Sequence, residues 1–238
     1  MNPRPWPLIV LACLLALASL AGGGFAATAV GAELTRGPTG SELVTAARAE
    51  VAERWRSLPA GQVFPESIEY TAEQGGRERA RRIGISPDTS CQAAVDERAE
   101  KILTAAQCRA VLRATYLDAL GGVLVTVGVV VLPDDLHAAR VRSAFPQDGR
   151  PAPGVRALAF KGTVSDRFTD AVRQASSARY AGPYVVLTTA GQVDGRPAKA
   201  VGGQRPGVFA FARELSDRIL GVLTEPKRPV CGTKEWRC

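Results

Sequence analysis

The chain has 238 residues, a formal net charge of +7, 46% apolar and 22% charged residues, proportions ordinary for a globular protein with a sizeable core. Of its 30 basic residues 25 are arginine, spread through an Ala-, Gly- and Val-rich chain, so the charge is that of a solvated basic surface. The densest cluster, "GGRERARR" at 75–82, also holds Glu78 and no aromatic residue to stack on a base, so no nucleic-acid partner is expected.

Residues 1–32 carry one arginine, Arg4, then an apolar core from Leu8 to Leu20 broken by Gly22, Gly23 and Gly24. This is the pattern of a signal peptide, with small-residue cleavage candidates ending at Ala29 and Ala32. The alternative is an uncleaved membrane anchor over residues 7–30. Either places the body outside the cytoplasm, secreted or held at the cell membrane. Cys13 sits inside the apolar run rather than after it, which argues against lipid attachment there.

"TGSELVTAARAEVAERWRSLPAG" predicts a helix, with Val44, Ala47, Val51, Trp55 and Leu58 at helical spacing. Thr39 and Glu42 fit a capping box, and Pro59 ends the helix. Residues 60–90 read as a connector. "TSCQAAVDERAEKILTAAQC" predicts a second helix over 92–106, with Thr89 and Gln92 as its capping box.

Two strands follow, "RAVLRATYLD" and the β-branched "VLVTVGVVVLP", which should be central in its sheet. Gly128 inside the latter marks a bulge or a close approach of another chain segment. "PDDLHAARVRSAF" predicts a helix, "VRALAFKGT" a third strand, "SDRFTDAVRQASSA" a short helix and "GPYVVLTTAG" a fourth strand. "GVFAFARELSDRILGVL" predicts the last helix. The order predicts an α+β fold: a mostly antiparallel sheet of about four strands with helices on a face. The strand–turn–helix pattern of both halves suggests a pseudo-duplicated ferredoxin-like sheet. The divisions are 1–32 as signal peptide or anchor, 33–90 as helical lead-in and connector, 91–226 as the α+β domain, and 227–238 as a cysteine-containing tail.

Asp134 and Asp135 precede His137, the only histidine. Acids at a helix start cap its free N–H groups and suit its dipole, so this stretch reads as a capped helix and not as a metal or catalytic site. A Ser-His-Asp triad would have only His137 as base, and no G-x-S-x-G, phosphate-loop or GxGxxG pattern occurs. No catalytic, cofactor or metal residue is assigned. Asp194 and Arg196, in "GQVDGRP", form an exposed turn and are the candidate recognition loop.

Four cysteines lie beyond the export segment: Cys91, Cys108, Cys231 and Cys238. An even number in an exported chain predicts two disulfides. A continuous helix over 92–106 would hold its ends roughly 22 Å apart. Bonded cysteines need Cα atoms within about 7 Å. The spacing therefore favours Cys91 and Cys108 each pairing with the tail. The alternative is Cys91–Cys108 with Cys231–Cys238, which requires the helix to be broken.

"WRSLPAGQVFPESIEY", "GISPDTSC", "CRAVLRATYLD" and "AGPYVVLTTAGQVDGRP" resemble a group of exported or membrane-anchored actinobacterial proteins that lack an assigned activity. The resemblance covers most of residues 55–200. It implies localisation and lineage but no site residues. The expectation is thus an extracytoplasmic binding or structural module in the cell envelope, with an envelope protein or cell-wall component as partner. The alternatives are an envelope enzyme with an acidic cleft and a small-molecule sensor.

Overall fold

The computed structural model describes residues 6, 10–17, 19, 30–32, 36–146, 148–201 and 206–227. The chain divides into two units, residues 1–45 and the body from Ala46 onward, and helix α1 (Gly40–Ser57) belongs to both. In the first unit residues 10–17 are helical. The α1 start has the expected capping box: the Glu42 N–H donates to Thr39 Oγ1 at 3.4 Å and the Thr39 N–H to Glu42 Oε2 at 2.7 Å. Among the described residues no helix is long and apolar enough to cross a membrane.

The body is α+β, with a six-stranded, wholly antiparallel sheet in the order β1-β2-β3-β4-β6-β5. The strands are β1 (Ser67–Thr71), β2 (Arg77–Ile85), β3 (Ala110–Leu117), β4 (Val123–Val131), β5 (Ala175–Ala181) and β6 (Tyr184–Gln192). The helices after α1 are α2 (Ala60–Val63), α3 (Cys91–Ala94), α4 (Glu97–Ala105), α5 (Asp135–Ala144), α6 (Ala198–Val201) and α7 (Phe211–Thr224). β4 is central and buried along its whole length, as its unbroken apolar run requires.

The expected connector over 60–90 instead contains the β1–β2 hairpin. Ile68, Tyr70 and Ala80 turn inward, while Arg77, Arg79 and Arg81 occupy outward positions of β2 and dilute the strand signal. Six strands therefore replace the expected four.

Odd residues of β4 face one side of the sheet, where α7 and the second half of α1 cover them. Even residues face the other side, where α4 and α5 pack. Helices lie on both faces rather than one. The hairpins β3–β4 and β5–β6 meet through β4 and β6, so duplicated halves would be related by a two-fold axis perpendicular to the sheet. Such an axis keeps each helix on the same face. Here α5 and α7 lie on opposite faces, and among the described strands no parallel pair provides a ferredoxin-like crossover.

The strand expected at 155–163 and the helix expected at 165–178 are also replaced. Residues 149–174 form an irregular strap across the face opposite α7, and β5 begins at Ala175. Leu158 is pinned at both backbone groups: its N–H donates to Thr126 Oγ1 at 2.9 Å and its carbonyl accepts from Thr115 Oγ1 at 2.7 Å. Phe160, Val155 and Phe168 close on Gly84, Gly128 and Gly191, where an added Cβ would meet them at 2.5, 2.9 and 2.9 Å. Gly128 thus marks a close approach, and the strap takes the face that a regular element would otherwise cover.

The strap also breaks the expected helix over 92–106. Val95 bridges to Val155, the Asp96 N–H donates to the Gly154 carbonyl at 3.1 Å, and the Arg156 N–H donates to the Ala94 carbonyl at 2.9 Å. These bonds draw residues 94–96 out of helical pairing and leave α3 and α4. Ser90, not Thr89, caps α3 through the Ala93 N–H at 3.3 Å. The chain then doubles back, and Cys91 bonds to Cys108 with Cα atoms 6.3 Å apart. The expected pairing of these two with the tail is corrected. Cys231 and Cys238 lie outside the described residues.

Candidate binding groove

Helix α7 carries Phe211, Ala212, Leu215, Ile219, Leu220 and Leu223 on one stripe, all buried against the sheet. It touches both edge strands, β1 and β5, so the sheet curls around it. Curling leaves a groove along each flank of the helix.

The groove beside β1 has a volume of about 540 Å³ and opens to solvent. Pro65, Ser67 and Glu69 form one wall, Asp217, Gly221 and Val222 the other, with Ile68 and Ile219 between. The Arg82 N–H donates to the Glu66 carbonyl and the Ala72 N–H to the Gly76 carbonyl, which identifies the even residues of this hairpin as those bonded across it. Ser67 and Glu69 therefore turn their N–H and C=O groups outward, toward α7. The same parity holds at Thr71, whose outward N–H donates to Glu214 Oε2 at 3.0 Å and closes that end of the groove. Glu69 is held by Arg79 at 2.8 Å, and that hydrogen bond and charge keep its carboxyl below the ordinary range. Asp217 pairs with Arg179 of β5 at 3.0 Å.

The other flank forms a polar groove of about 590 Å³ whose lining includes Ser177, Thr188, Gln174 and Arg213. The Ser177 and Thr188 hydroxyls bond to each other at 2.6 Å. A smaller cavity of about 180 Å³ gathers Glu73, Glu78 and Asp118. Two of these carboxylates have structural bonds. Glu78 accepts from the Tyr70 hydroxyl, whose pKa is raised to about 12 by burial and that bond. Asp118 Oδ1 accepts from the Gly122 and Val123 N–H groups at 2.7 and 2.8 Å. Among the described residues no group of three or more His, Cys, Asp or Glu side chains is arranged to hold a metal ion.

Asp134 is the N-cap of α5: its Oδ1 accepts from the His137 N–H at 2.9 Å and lies 2.8 Å from His137 Nδ1. Asp194 and Arg196 lie on the exposed turn after β6. Asp194 Oδ1 accepts from the Arg196 N–H at 3.0 Å, and its Oδ2 accepts from Arg196 Nε at 2.6 Å. The pair is satisfied within its own turn and lines neither groove beside α7. The groove residues of β1 fall inside the expected connector over 60–90, where the alternation "SIEYT" is the only local sign of a strand.

No family model, curated protein or solved structure matches the chain.

Proposed function

We propose that the chain is an extracytoplasmic, non-catalytic binding module that takes an extended segment of an envelope protein as an added strand on β1. The unpaired outer edge of β1, facing a groove against α7, carries this reading. Strand addition uses main-chain hydrogen bonds for affinity and side-chain pockets at alternate positions for selectivity. Ser67 and Glu69 offer the first, and the apolar strip at Ile68, Ile219 and Val222 offers the second. The export-like first 32 residues and the Cys91–Cys108 disulfide support an oxidising compartment.

The test uses a random heptapeptide display library selected on the full chain. Glu69→Pro removes one outward N–H without touching the β1–β2 ladder, a position where an edge strand tolerates proline. Selected peptides should bind the parent chain and lose at least about tenfold in affinity to Glu69→Pro, with the melting temperature unchanged. Peptides indifferent to the substitution, or no enrichment, overturn the reading. N-terminal sequencing of the fractionated native protein checks the compartment and the cleavage.

A further inference from the structure

On the sheet face opposite the peptide groove, Arg113 of β3 is 7% exposed, and its guanidinium donates no hydrogen bond among the described residues. Its Nε is buried without a partner. The nearest carboxylate, Asp88, is 3.9 Å away, too far for a hydrogen bond, and already accepts from the Ser90 N–H at 2.8 Å. A second cation stands close by. Arg156 places its Nε on the Val95 carbonyl at 2.9 Å and lies 3.9 Å from Asp170. Asp170 in turn accepts from the Ala157 N–H at 2.9 Å and lies 3.5 Å from Arg173. Asp88 and Asp170 thus each spend one oxygen on other partners, Oδ1 in both cases, and neither comes within hydrogen-bonding distance of the Arg113 guanidinium. Loss of water lowers the Arg113 pKa, with Asp88 and Asp170 opposing the shift and Arg156 adding to it.

A buried guanidinium is ordinarily retained only when its donors are matched, because unmatched donors cost their full desolvation. The fold keeps this one in place on a central strand, beside Gly128, with the side chain directed at the surface near Asp88. The forked donors of arginine suit a carboxylate, sulfate or phosphate.

We propose that Arg113 and Arg156 form a binding site for a small oxyanion, seated at the surface between Asp88 and Asp170. The site is separate from the β1 groove, so either can fail without the other.

The test is calorimetric titration of the full chain with sodium phosphate, sodium sulfate and sodium acetate, each against sodium chloride at matched ionic strength. At least one oxyanion should bind saturably below about 20 mM and raise the melting temperature. A response to phosphate or sulfate identifies a tetrahedral ligand, and a response to acetate alone identifies a carboxylate. Arg156→Gln, on a half-exposed side chain, should weaken binding at least about tenfold. Arg113→Lys should do the same, since an ammonium cannot reproduce the fork. Arg196→Gln, whose side chain is held by Asp194 within its own turn, should leave it unchanged. If Arg113→Lys does not fold, Arg156→Gln alone decides. No saturable binding, or binding that Arg156→Gln leaves intact, overturns the proposal.

Discussion

Val155 packs directly on Gly128: a Cβ at position 128 would lie 2.9 Å from Val155 Cγ2. Both residues are in the layer between sheet and strap, and Val155 is fully buried. Gly128→Ala should therefore destabilise the protein by about 1–3 kcal/mol through overpacking, despite alanine's easier backbone. Val155→Ala should cost about 0.5–3 kcal/mol by itself. Combined, the two should cost less than their sum, because the smaller side chain makes room for the added methyl. Additive denaturation energies would show that the strap does not press on the strand.

The Cys91–Cys108 bond closes a segment of 17 residues of sequence separation that includes the α3–α4 break. The chain-entropy relation gives about 3 kcal/mol for a loop of this size. Cys91→Ser with Cys108→Ser should lower stability by about that amount. Non-reducing peptide mapping of the parent chain should yield a cross-linked peptide containing both residues. A peptide joining either one to Cys231 or Cys238 would refute the pairing.

The legible parts of the fold share one property: their pattern is decided locally. The β-branched run of β4 and the apolar stripe of α7 specify buried elements with little help from the rest of the chain. Asp134 likewise caps α5 through the N–H three residues on. The illegible parts depend on distant partners. Residues 92–106 have a strong helical pattern, yet the strap takes the backbone groups of residues 94–96 and splits it. "VRALAFKGT" alternates like a strand, but its backbone groups are taken by scattered partners: Leu158 bonds to the Thr115 and Thr126 side chains, the Arg156 N–H to the Ala94 carbonyl and the Ala157 N–H to Asp170. The groove beside β1 failed for a different reason. Its main functional groups are main-chain N–H and C=O, which carry no residue signature. The burial of Arg113 has no local signal, because it depends on the strap that crosses its face of the sheet.

The α5 cap gives a pH signature. The His137 N–H and side chain hold the Asp134 carboxyl below its ordinary value of about 4. A carboxylate with a depressed folded pKa stabilises above its unfolded pKa, and that contribution is lost as pH falls through the folded value. Asp134→Ala should thus be less stable than the parent at pH 6, with the difference shrinking as pH drops below about 4. His137→Ala keeps the backbone donor and should change stability by less than about 1 kcal/mol. Urea unfolding midpoints across this range test both. A constant gap between parent and Asp134→Ala would mean that the cap does not act through its charge.

Arg54 is the largest unexpected side chain of the core. It is 0% exposed on α1, pairs with Glu50, and donates to the carbonyls of Leu223 at 3.1 Å and Glu225 at 2.8 Å. Those carbonyls end α7, where no further turn supplies N–H partners and the helix dipole is negative. One buried cation thereby joins α1 to the helix around which the sheet curls. Arg54→Met should cost about 3–5 kcal/mol, because it strands Glu50, itself only 10% exposed, without a counter-charge. Adding Glu50→Leu should recover a large part of that loss, since a buried ion pair is often replaceable by apolar side chains of similar volume. Recovery should be incomplete, because the two α7 carbonyls remain without their donor. Equilibrium denaturation of the single and double variants measures each part. A double variant no more stable than Arg54→Met would place the cost in the helix end rather than in Glu50.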